Sequence, residues 1–442
     1  MEEQLQILLQ EKLADSLAAP LPDLTRREVR LPAVPGKALA VIGMRRSGKT
    51  CFLWQCLADR LGAGHAREAL VYLNFDDDRL AGMEVSGLSF LLEEYFRRHP
   101  TQRDGRRTTF FLDEIQLVPR WETFARRLLD SEDVDLFLSG SSASMLSQEV
   151  ATSMRGRALE VPVYPFSFRE VLAHGGKLPA QEWAALPKAR RSTLEHALRG
   201  YLVAGGFPEA QGLEARDRTP LLRSYVDVAV LRDVIERHAV SNPVALRWLQ
   251  RHLMGSPAAL FSIQKFYDTL RSQGVPVSKD TLHSFLAHLE DAFLLRTVSL
   301  FTNSERQRMV NPRKAYPIDS GIIPVYERSG RANLGYALET VVLVELQRRG
   351  QEVHYLRTPD GYEVDFHARA ADGTTTLVQV CANASAPETW AREVRALSAA
   401  AALHPEATPL LLTLETLPPS HPMPKPLLWR SAIEWLLESP SG

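Results

Sequence analysis

The segment "ALAVIGMRRSGKT", residues 38–50, decides the fold, because an apolar run leads directly into a loop bounded by glycines. Gly43, four residues, Gly48, Lys49 and Thr50 reproduce the full spacing of a phosphate-binding loop. In such a loop backbone N–H groups close around phosphate oxygens, the lysine reaches the outer phosphates and the hydroxyl ligates Mg²⁺. The next segment, "CFLWQCLADRL", has the apolar spacing of a helix, as the motif requires. The predicted nucleotide-binding residues are Gly43, Arg46, Ser47, Gly48, Lys49, Thr50 and Cys51.

A second apolar run, "TTFFLDEIQ" at residues 108–116, ends in two adjacent carboxylates. A buried strand that ends in this way places Asp113 near the metal and Glu114 near the attacking water. We therefore expect ATP and Mg²⁺ as ligands, with Thr50 and Asp113 holding the metal. Lys49 would contact the phosphates and Glu114 would act as general base.

Another strand-like run, "ALVYLNFDDDRL" at residues 69–80, lies between these two motifs. An extra strand, together with a glutamate directly after the aspartate, resembles the additional-strand catalytic-glutamate branch of P-loop proteins. The pattern disfavours GTPase-like and kinase-like members.

A further strand, within "DVDLFLSGSSASML", ends in the hydroxyl residues Ser139, Ser141 and Ser142. A hydroxyl at this strand end can orient the water or sense the γ-phosphate; Ser139 is a candidate, and the choice among the serines stays open. Arg155 and Arg157 then flank a glycine. An arginine that reaches a neighbouring subunit's nucleotide would stabilise charge in the transition state. The alternative for both arginines is a solvated basic turn.

Length and composition indicate an ordinary soluble protein of two to four domains, with 442 residues, 45% hydrophobic and 24% charged. The formal net charge of −1 provides no overall basic field, so any contact with nucleic acid must come from local patches. Three cysteines without metal spacing fit a reducing compartment, and we expect a cytoplasmic protein.

The N-terminus predicts a helical segment over residues 1–34, because "MEEQLQILLQEKLADSL" is amphipathic and acidic. A signal peptide would need a basic start and an unbroken apolar run. No uncharged apolar stretch of 18 or more residues occurs, so we expect no membrane span and no membrane partner.

Beyond the nucleotide motifs, the chain resembles bacterial and archaeal AAA+ ATPases whose C-terminal half is a domain of unknown function related to restriction-endonuclease folds. The resemblance covers about residues 35 to 400 and includes "LNFDDDRL", "FFLDEIQLVPRWE", "YLVAGGFPEA", "DVAVLRDVIERHAV", "KAYPIDSG" and "EVDF". It implies an α/β fold with a P-loop AAA+ ATPase core, a helical lid, a winged-helix module and a restriction-endonuclease-like α/β domain. The boundaries we predict are 35–165 for the core, 166–242 for the lid, 243–328 for the winged helix-turn-helix and 329–442 for the last domain.

The predicted lid and winged-helix module offer several basic residues. In AAA+ proteins a lid arginine can contact the γ-phosphate, which makes Arg232 and Arg237 candidates, with helix surface charge as the alternative. Three helical periodicities over residues 243–300 predict the winged helix, and Ser278 is a good cap for its third helix. This module binds DNA or has a purely structural role. The strongest local basic patch, and the better candidate for phosphate contact, consists of Arg306, Arg308, Arg313 and Lys314.

The C-terminal residues predict one helix, three strands, a helix, a strand and a final helix, "LLWRSAIEWLLE". Strand alternation and the hairpin signal Asp372-Gly373 bring Asp365 and Gln379 together across two strands. The same alternation places four apolar residues on one shared face: Val364, Phe366, Val378 and Val380.

The restriction-endonuclease resemblance implies that Glu339, Asp365 and Gln379 stand where Mg²⁺ ligands would be. Cys381 occupies the position of the catalytic lysine, and a thiol is never cationic. We therefore expect a vestigial site that lacks its cation and a domain that is catalytically degenerate. Arg392 and Arg395 would replace the cation only if they pointed inward.

These observations predict an ATP-hydrolysing AAA+ protein that acts as a homo-oligomer, with a hexameric ring as the candidate arrangement. We expect it to couple its nucleotide cycle to binding or remodelling of nucleic acid, with DNA as the expected partner. One alternative is a signalling switch whose C-terminal half docks a protein. Another is an ATP-regulated, Mg²⁺-dependent nuclease.

Overall fold

The chain forms two compact units, residues 1–163 and residues 164–442. The computed structural model describes residues 2–103, 107–140, 154, 156–327, 333–417 and 423–439. Ser141, Ser142 and Arg155, which the sequence analysis names as site candidates, lie outside the described residues.

A sheet of parallel strands in the order β2-β3-β4-β1-β5 forms the centre of the first unit. Every residue of β1 and β3 is buried, as expected for strands covered on both faces. Strand β4 lies between β1 and β3, which is the arrangement of the additional-strand branch. The carboxyl ends of these parallel strands share one edge of the sheet, where ligands bind in open α/β folds. The strands are β1 (Ala38–Ile42), β2 (Leu70–Asn74), β3 (Thr108–Asp113), β4 (Val134–Gly140) and β5 (Ala158–Pro162).

Helix α2 packs its apolar side against this sheet through Phe52, Leu53 and Cys56. Each large apolar side chain buried in this way contributes about 1.5–3 kcal/mol. Burial raises the pKa of the Cys56 thiol to about 12, so this cysteine packs in the core as a neutral side chain. The helices described in this unit are α1 (Glu2–Ala18), α2 (Lys49–Gly62), α3 (Val85–Arg98) and α4 (Trp121–Ser131).

The helical segment predicted over residues 1–34 is wrong in its second half, because α1 ends at Ala18 and residues 19–34 form no helix. Pro20 and Pro22 explain the stop, since proline lacks the backbone N–H and restricts the residue before it. The extended segment is nevertheless tied down at Arg27, which is 3% exposed. Its guanidinium donates to the Ser47 carbonyl oxygen at 2.8 Å, inside the predicted phosphate loop.

The second unit begins with a helical part, and the glycines that follow helix α6 (Lys188–Ala204) lie against the buried Asp319 carboxylate. Asp319 accepts hydrogen bonds from the backbone N–H groups of Gly206 at 2.7 Å and Gly321 at 2.9 Å. A Cβ on Gly206 would lie 2.1 Å from the Phe166 carbonyl oxygen, so only glycine fits there. Burial raises the Asp319 pKa to about 6. The helices are α5 (Phe168–His174), α6 (Lys188–Ala204) and α7 (Ala215–Ala229), and a π-helical stretch, Val230–Glu236, continues α7.

The part predicted as a winged helix contains its three expected helices, and Ser278 caps the third by accepting from the Thr281 N–H at 3.0 Å. A small antiparallel sheet of order β6-β8-β7 accompanies them. In this sheet β8 pairs with both β6 and β7. In chain order the elements are α8 (Pro243–Gly255), β6 (Leu260–Phe261), α9 (Ile263–Ser272), α10 (Lys279–Asp291), β7 (Leu295–Val298), α11 (Glu305–Val310) and β8 (Arg313–Pro317).

The C-terminal part is a mixed sheet of order β13-β12-β11-β10-β9 with helices packed on it, and the predicted order of helix, three strands, helix and strand is present. The predicted final helix is wrong at its start, because Leu428–Ser431 pairs as β13 with the free edge of β12. The elements are α12 (Ile323–Tyr326), α13 (Leu334–Arg348), β9 (Glu352–Arg357), β10 (Glu363–Arg369), β11 (Thr375–Cys381), α14 (Pro387–Leu403), β12 (Thr408–Thr413), β13 (Leu428–Ser431) and α15 (Ala432–Leu437).

A β-bulge in β10 overturns the predicted shared face of Val364 and Phe366. The pairing register with β9 shifts between Val364 and His367, so β10 carries one extra residue there. Val364 packs in the core that contains Cys381, while Phe366 packs with Val378 in the core on the other side. The extra residue reverses the alternation at Asp365.

Candidate functional site

The loop between β1 and α2 has the backbone of a phosphate cradle. A Cβ on Gly43 would lie 2.3 Å from the Val163 carbonyl oxygen, and Gly48 has a left-handed φ of 98° directly before α2 begins. The Lys49 ammonium donates to the carbonyl oxygens of Gly43 at 3.1 Å and Met44 at 3.2 Å. Ser47 is fully buried, and its Oγ has no hydrogen-bond partner among the described residues. A buried hydroxyl without a partner is costly unless a ligand satisfies it.

The Asp113 carboxylate lies at the carboxyl end of β3 and is bound by three hydroxyl groups. Thr50 Oγ1 and Tyr72 Oη each donate to Oδ2 at 2.7 Å, and Ser139 Oγ donates to Oδ1. Asp113 is fully buried, so these donors offset the loss of water around its charge. Hydroxyl donors carry no charge, and the negative charge of the carboxylate therefore stays available to a cation.

Glu114 follows directly, with a left-handed φ of 54° that is uncommon for a residue other than glycine. Its backbone N–H donates to Ser139 Oγ at 3.0 Å, and its Oε2 accepts a hydrogen bond from Gln116 Nε2. Ser139 thus contacts the backbone of one predicted site residue and the carboxylate of another. Strained backbone of this kind clusters at functional sites, and Arg46 in the phosphate loop shows the same feature with a φ of 67°.

The structure does not bring every predicted residue into this cluster. Arg46 and Cys51 are exposed at the loop and at the first turn of α2. The Arg157 guanidinium forms an ion pair with Asp130 of its own chain. Arg157 therefore has an intramolecular partner within the first unit, and a role towards a neighbouring subunit stays a prediction.

Sequence reasoning missed Tyr72 and Arg27. Tyr72 packs against Trp54 of α2, with ring centroids 4.4 Å apart and the ring planes tilted by 37°. Burial, and then the Asp113 charge, raises the Tyr72 pKa, so the phenol remains a donor. The signal was present in "LVYLN", where Tyr72 is a partly polar side chain in the middle of a buried strand. Arg27 lies in a segment without regular structure, and nothing in its local sequence marks it.

The predicted vestigial site in the second unit contains a cation. The ammonium of Lys314, from β8, lies 2.8 Å from a Glu363 oxygen, 3.1 Å from Asp365 Oδ1 and 3.2 Å from Glu339 Oε1. The expectation of a missing cation is therefore wrong. Lys314 is 3% exposed, so its assignment to the surface basic patch is wrong as well.

Tyr316, two residues further along β8, is a second hydrogen-bond partner of the Glu339 carboxylate. Its hydroxyl donates to Glu339 Oε1 at 2.7 Å. Burial and the neighbouring Asp365 charge raise the Glu339 pKa, and the Lys314 ammonium and the Tyr316 hydroxyl oppose that rise. Burial lowers the Lys314 pKa, but the charges of Asp365, Glu339 and Glu363 outweigh burial and raise it. The lysine is charged at neutral pH.

Asp365 and Gln379 meet across β10 and β11 as predicted, but Gln379 acts as a donor. Its Nε2 donates to Asp365 Oδ2 at 3.1 Å and to Glu393 Oε2 at 2.6 Å. The Val380 N–H donates to the same Asp365 oxygen at 3.0 Å. Two carboxylates that only accept hydrogen bonds require the amide nitrogen on their side.

Neither Cys381 nor the candidate arginines Arg392 and Arg395 supply this cation, and both arginines are exposed on α14. Cys381 is buried in an apolar core with Val364 and Leu377, and burial raises its pKa to about 11. The Arg392 side chain is 74% exposed and pairs with Glu393. The inward arginine that would rescue a nuclease site is therefore not Arg392.

The two sites differ in how well they fit the ions that the sequence predicts. The phosphate loop fits ATP with Mg²⁺, because it contains a buried Ser47 hydroxyl without a partner among the described residues, and its Thr50 hydroxyl donates to an Asp113 carboxylate that has neutral partners. The Glu339 and Asp365 carboxylates do not fit a metal, because an ammonium already lies against them. Across the described residues, no group of three or more His, Cys, Asp or Glu side chains is arranged to hold a metal ion.

The fold and the phosphate loop define a P-loop ATPase core of the AAA+ type. Residues 35–172 match the family described as an AAA domain, and residues 195–329 match a domain of unknown function (DUF8612). The uncharacterized protein MJ1544 of Methanocaldococcus jannaschii is 31% identical over 381 residues, which span 85% of this chain and 81% of that protein. An uncharacterized protein of Haemophilus influenzae is 29% identical over 333 residues, spanning 75% of this chain and 79% of that protein. The chain belongs to the AAA+ family that the archaeal protein MJ1544 represents.

The chain is also similar, at a low level, to two solved structures. The Walker-type ATPase paby2304 of Pyrococcus abyssi is 14% identical, covers 72% of this chain and 94% of that chain, and has a TM-score of 0.42. The Aeropyrum pernix Orc1 protein, in complex with DNA, is 14% identical, covers 73% and 91%, and has a TM-score of 0.27. In the part of the chain that the structure describes, no helix is both long and apolar enough to cross a membrane.

Proposed function

We propose that this chain hydrolyses ATP with Mg²⁺ and couples the nucleotide cycle to binding or remodelling of nucleic acid, with DNA as the partner, as a homo-oligomer. The observation that carries the hydrolysis step is the Asp113 carboxylate, which is held by three neutral hydroxyl groups at the mouth of the phosphate loop. Glu114 follows it in a strained conformation.

The residues of the site have distinct roles in binding phosphate, binding the metal ion and activating water. The loop N–H groups and the Lys49 ammonium bind the phosphates, and Ser47 Oγ gains a partner when a phosphate oxygen arrives. Thr50 and Asp113 would hold Mg²⁺, which would neutralise phosphate charge when bound. Ser139 and Tyr72 fix the Asp113 carboxylate, and the Glu114 carboxylate accepts the proton of the attacking water.

The support for a nucleic-acid partner lies in the segment around α11. Arg306 is exposed there, and the side chains of Met309 and Val310 are 74% and 73% exposed. Arginines bind phosphates, and apolar tips can insert into a groove or against bases. Arg313 lies next to this segment, while Lys314 is buried and takes no part.

Assembly into an oligomer is part of this proposal because the chain belongs to an AAA+ family. Arg155 and Arg157 are the candidates for contact with a neighbouring subunit's nucleotide. The hexameric ring is one possible size, and mass by light scattering with and without nucleotide measures it.

The catalytic assignment is tested with Glu114→Gln. This variant should bind ATP as the wild type does and should lose phosphate release by about 100-fold or more, because the general base is gone. The matched control is Glu93→Gln, whose side chain is 68% exposed in the same unit. Phosphate release at the wild-type rate by Glu114→Gln would refute the role of Glu114.

The partner is tested by measuring ATP turnover with single-stranded, duplex and branched DNA at several salt concentrations. A DNA-coupled enzyme should be stimulated several-fold, and the stimulation should weaken with salt. Arg306→Ala/Arg313→Ala should reduce the slope of log DNA affinity against log salt concentration by about two, one for each lost phosphate contact. The control Lys188→Ala/Arg216→Ala removes equal charge from exposed positions and should leave this slope unchanged. Turnover that ignores every DNA form would favour the protein-docking switch instead.

A further inference from the structure

Three carboxylates from two elements of the C-terminal part converge on one ammonium. Glu339 comes from α13, Glu363 and Asp365 from β10, and all three have an oxygen within 3.2 Å of Lys314 Nζ. An ammonium has three N–H donors, so each donor has its own carboxylate acceptor. The lysine is almost completely withdrawn from water, and its hydrogen-bonding capacity is full.

This ammonium lies against Glu339 and Asp365, two of the three residues that the fold resemblance assigns to Mg²⁺. A magnesium ion needs oxygen ligands at about 2.1 Å in a near-octahedral arrangement. A divalent ion at that point would lie within contact distance of a buried positive charge, where the low dielectric screens repulsion poorly. The metal and the Lys314 ammonium therefore exclude each other.

On the side of Asp365 away from the lysine, hydrogen-bond donors occupy its other carboxylate oxygen. Gln379 Nε2 bridges Asp365 Oδ2 and Glu393 Oε2, and the Val380 N–H donates to the same Asp365 oxygen. Both Asp365 oxygens thus have protein donors: Oδ1 faces the lysine and Oδ2 faces the amide groups.

We propose that the Lys314 ammonium replaces the divalent cation in this site, so that the site formed by β8, α13 and β10 is independent of metal. Removing the ammonium alone would then open a divalent cation site lined by Glu339, Glu363 and Asp365. The carboxylates are already gathered, and a contraction of about 1 Å per oxygen would bring them to metal-ligand distances. This inference concerns a site outside the nucleotide core and does not depend on ATP turnover.

The test uses Mn²⁺ as the probe on the full chain without nucleotide. Binding is followed by electron paramagnetic resonance of free Mn²⁺ and by the shift in melting temperature. Lys314→Met keeps approximately the length of the side chain and removes its charge. This variant should bind one additional Mn²⁺, with an affinity at this site at least about tenfold higher than that of the wild type. The matched control is Arg313→Met, which removes an equal charge from the neighbouring residue of β8 and should bind Mn²⁺ as the wild type does.

Two further variants separate this site from the nucleotide site and guard against misfolding. The additional Mn²⁺ of Lys314→Met should disappear in Lys314→Met/Asp365→Asn. Lys314→Gln serves as a second neutral variant if the methionine variant does not fold. A wild-type chain that already binds an Mn²⁺ lost on Asp365→Asn would overturn the proposal, and so would a folded neutral variant that gains no Mn²⁺.

Discussion

The two aspartates Asp113 and Asp365 are both buried, and both are bound by several donors, but the kind of donor differs. Asp113 is held by the hydroxyl groups of Thr50, Tyr72 and Ser139, whereas Asp365 is held by an ammonium and amide groups. Hydroxyl donors stabilise the carboxylate without cancelling its charge, and they can be displaced by a cation. The ammonium cancels the charge. The partners of a carboxylate, more than its position in a familiar motif, decide whether it can receive a metal ion.

The largest effect is expected from Asp113→Asn. The amide keeps the shape of the side chain but removes the charge that holds Mg²⁺, whose charge stabilisation contributes several kcal/mol to phosphoryl transfer. ATP turnover should fall by about 100-fold or more, while the melting temperature changes little. Phosphate release assays and calorimetric melting measure the two quantities. Near-normal turnover would mean that Asp113 is not a metal ligand.

The same substitution at the second aspartate should produce the opposite pattern. Asp365→Asn leaves the Lys314 ammonium buried with one carboxylate fewer, and breaking a buried ion pair is strongly destabilising. The free energy of unfolding should fall by about 2 kcal/mol, because Glu339 and Glu363 remain. Turnover per folded molecule should stay at the wild-type value. A loss of turnover in the folded variant would break the comparison, since the two aspartates would then serve one activity.

The smallest effect is expected from Tyr72→Phe, which removes one neutral donor from Asp113. Loss of a single hydrogen bond should reduce the free energy of unfolding by about 1 kcal/mol. Turnover should remain within about fivefold of the wild type at saturating Mg²⁺, because Tyr72 contacts the metal ligand and not the reacting atoms. Urea unfolding and a Mg²⁺ titration of turnover measure both effects. A 100-fold loss would place the phenol among the reacting groups.

The first of these two sites could be predicted from the sequence, and the second could not. The phosphate loop is one continuous segment, and Asp113 and Glu114 end one strand, so local pattern alone indicated them. The Lys314 ammonium comes from a strand 25 residues before Glu339 and 51 residues before Asp365. Its neighbours in the sequence are arginines, which made it resemble part of a surface patch.

Two other predictions failed because contacts distant in the sequence decide the local structure. Alternation along β10 predicted a shared face for Val364 and Phe366, but one extra residue reverses the side-chain order, and single-strand pattern cannot reveal a bulge set by the partner strand. The first residues of "LLWRSAIEWLLE" form β13 because the edge of β12 is available for pairing. In both cases a neighbouring strand overrides the local preference.

The bond between Asp319 and Gly206 joins two chain positions 113 residues apart. Separate fragments with a boundary between them would leave the buried Asp319 carboxylate without its Gly206 donor, and the Gly206 N–H without its acceptor. Recombinant fragments that follow the predicted boundaries at 242 and 328 should therefore express as unstable pieces. The practical unit for producing the second part of this protein is the whole of residues 164–442.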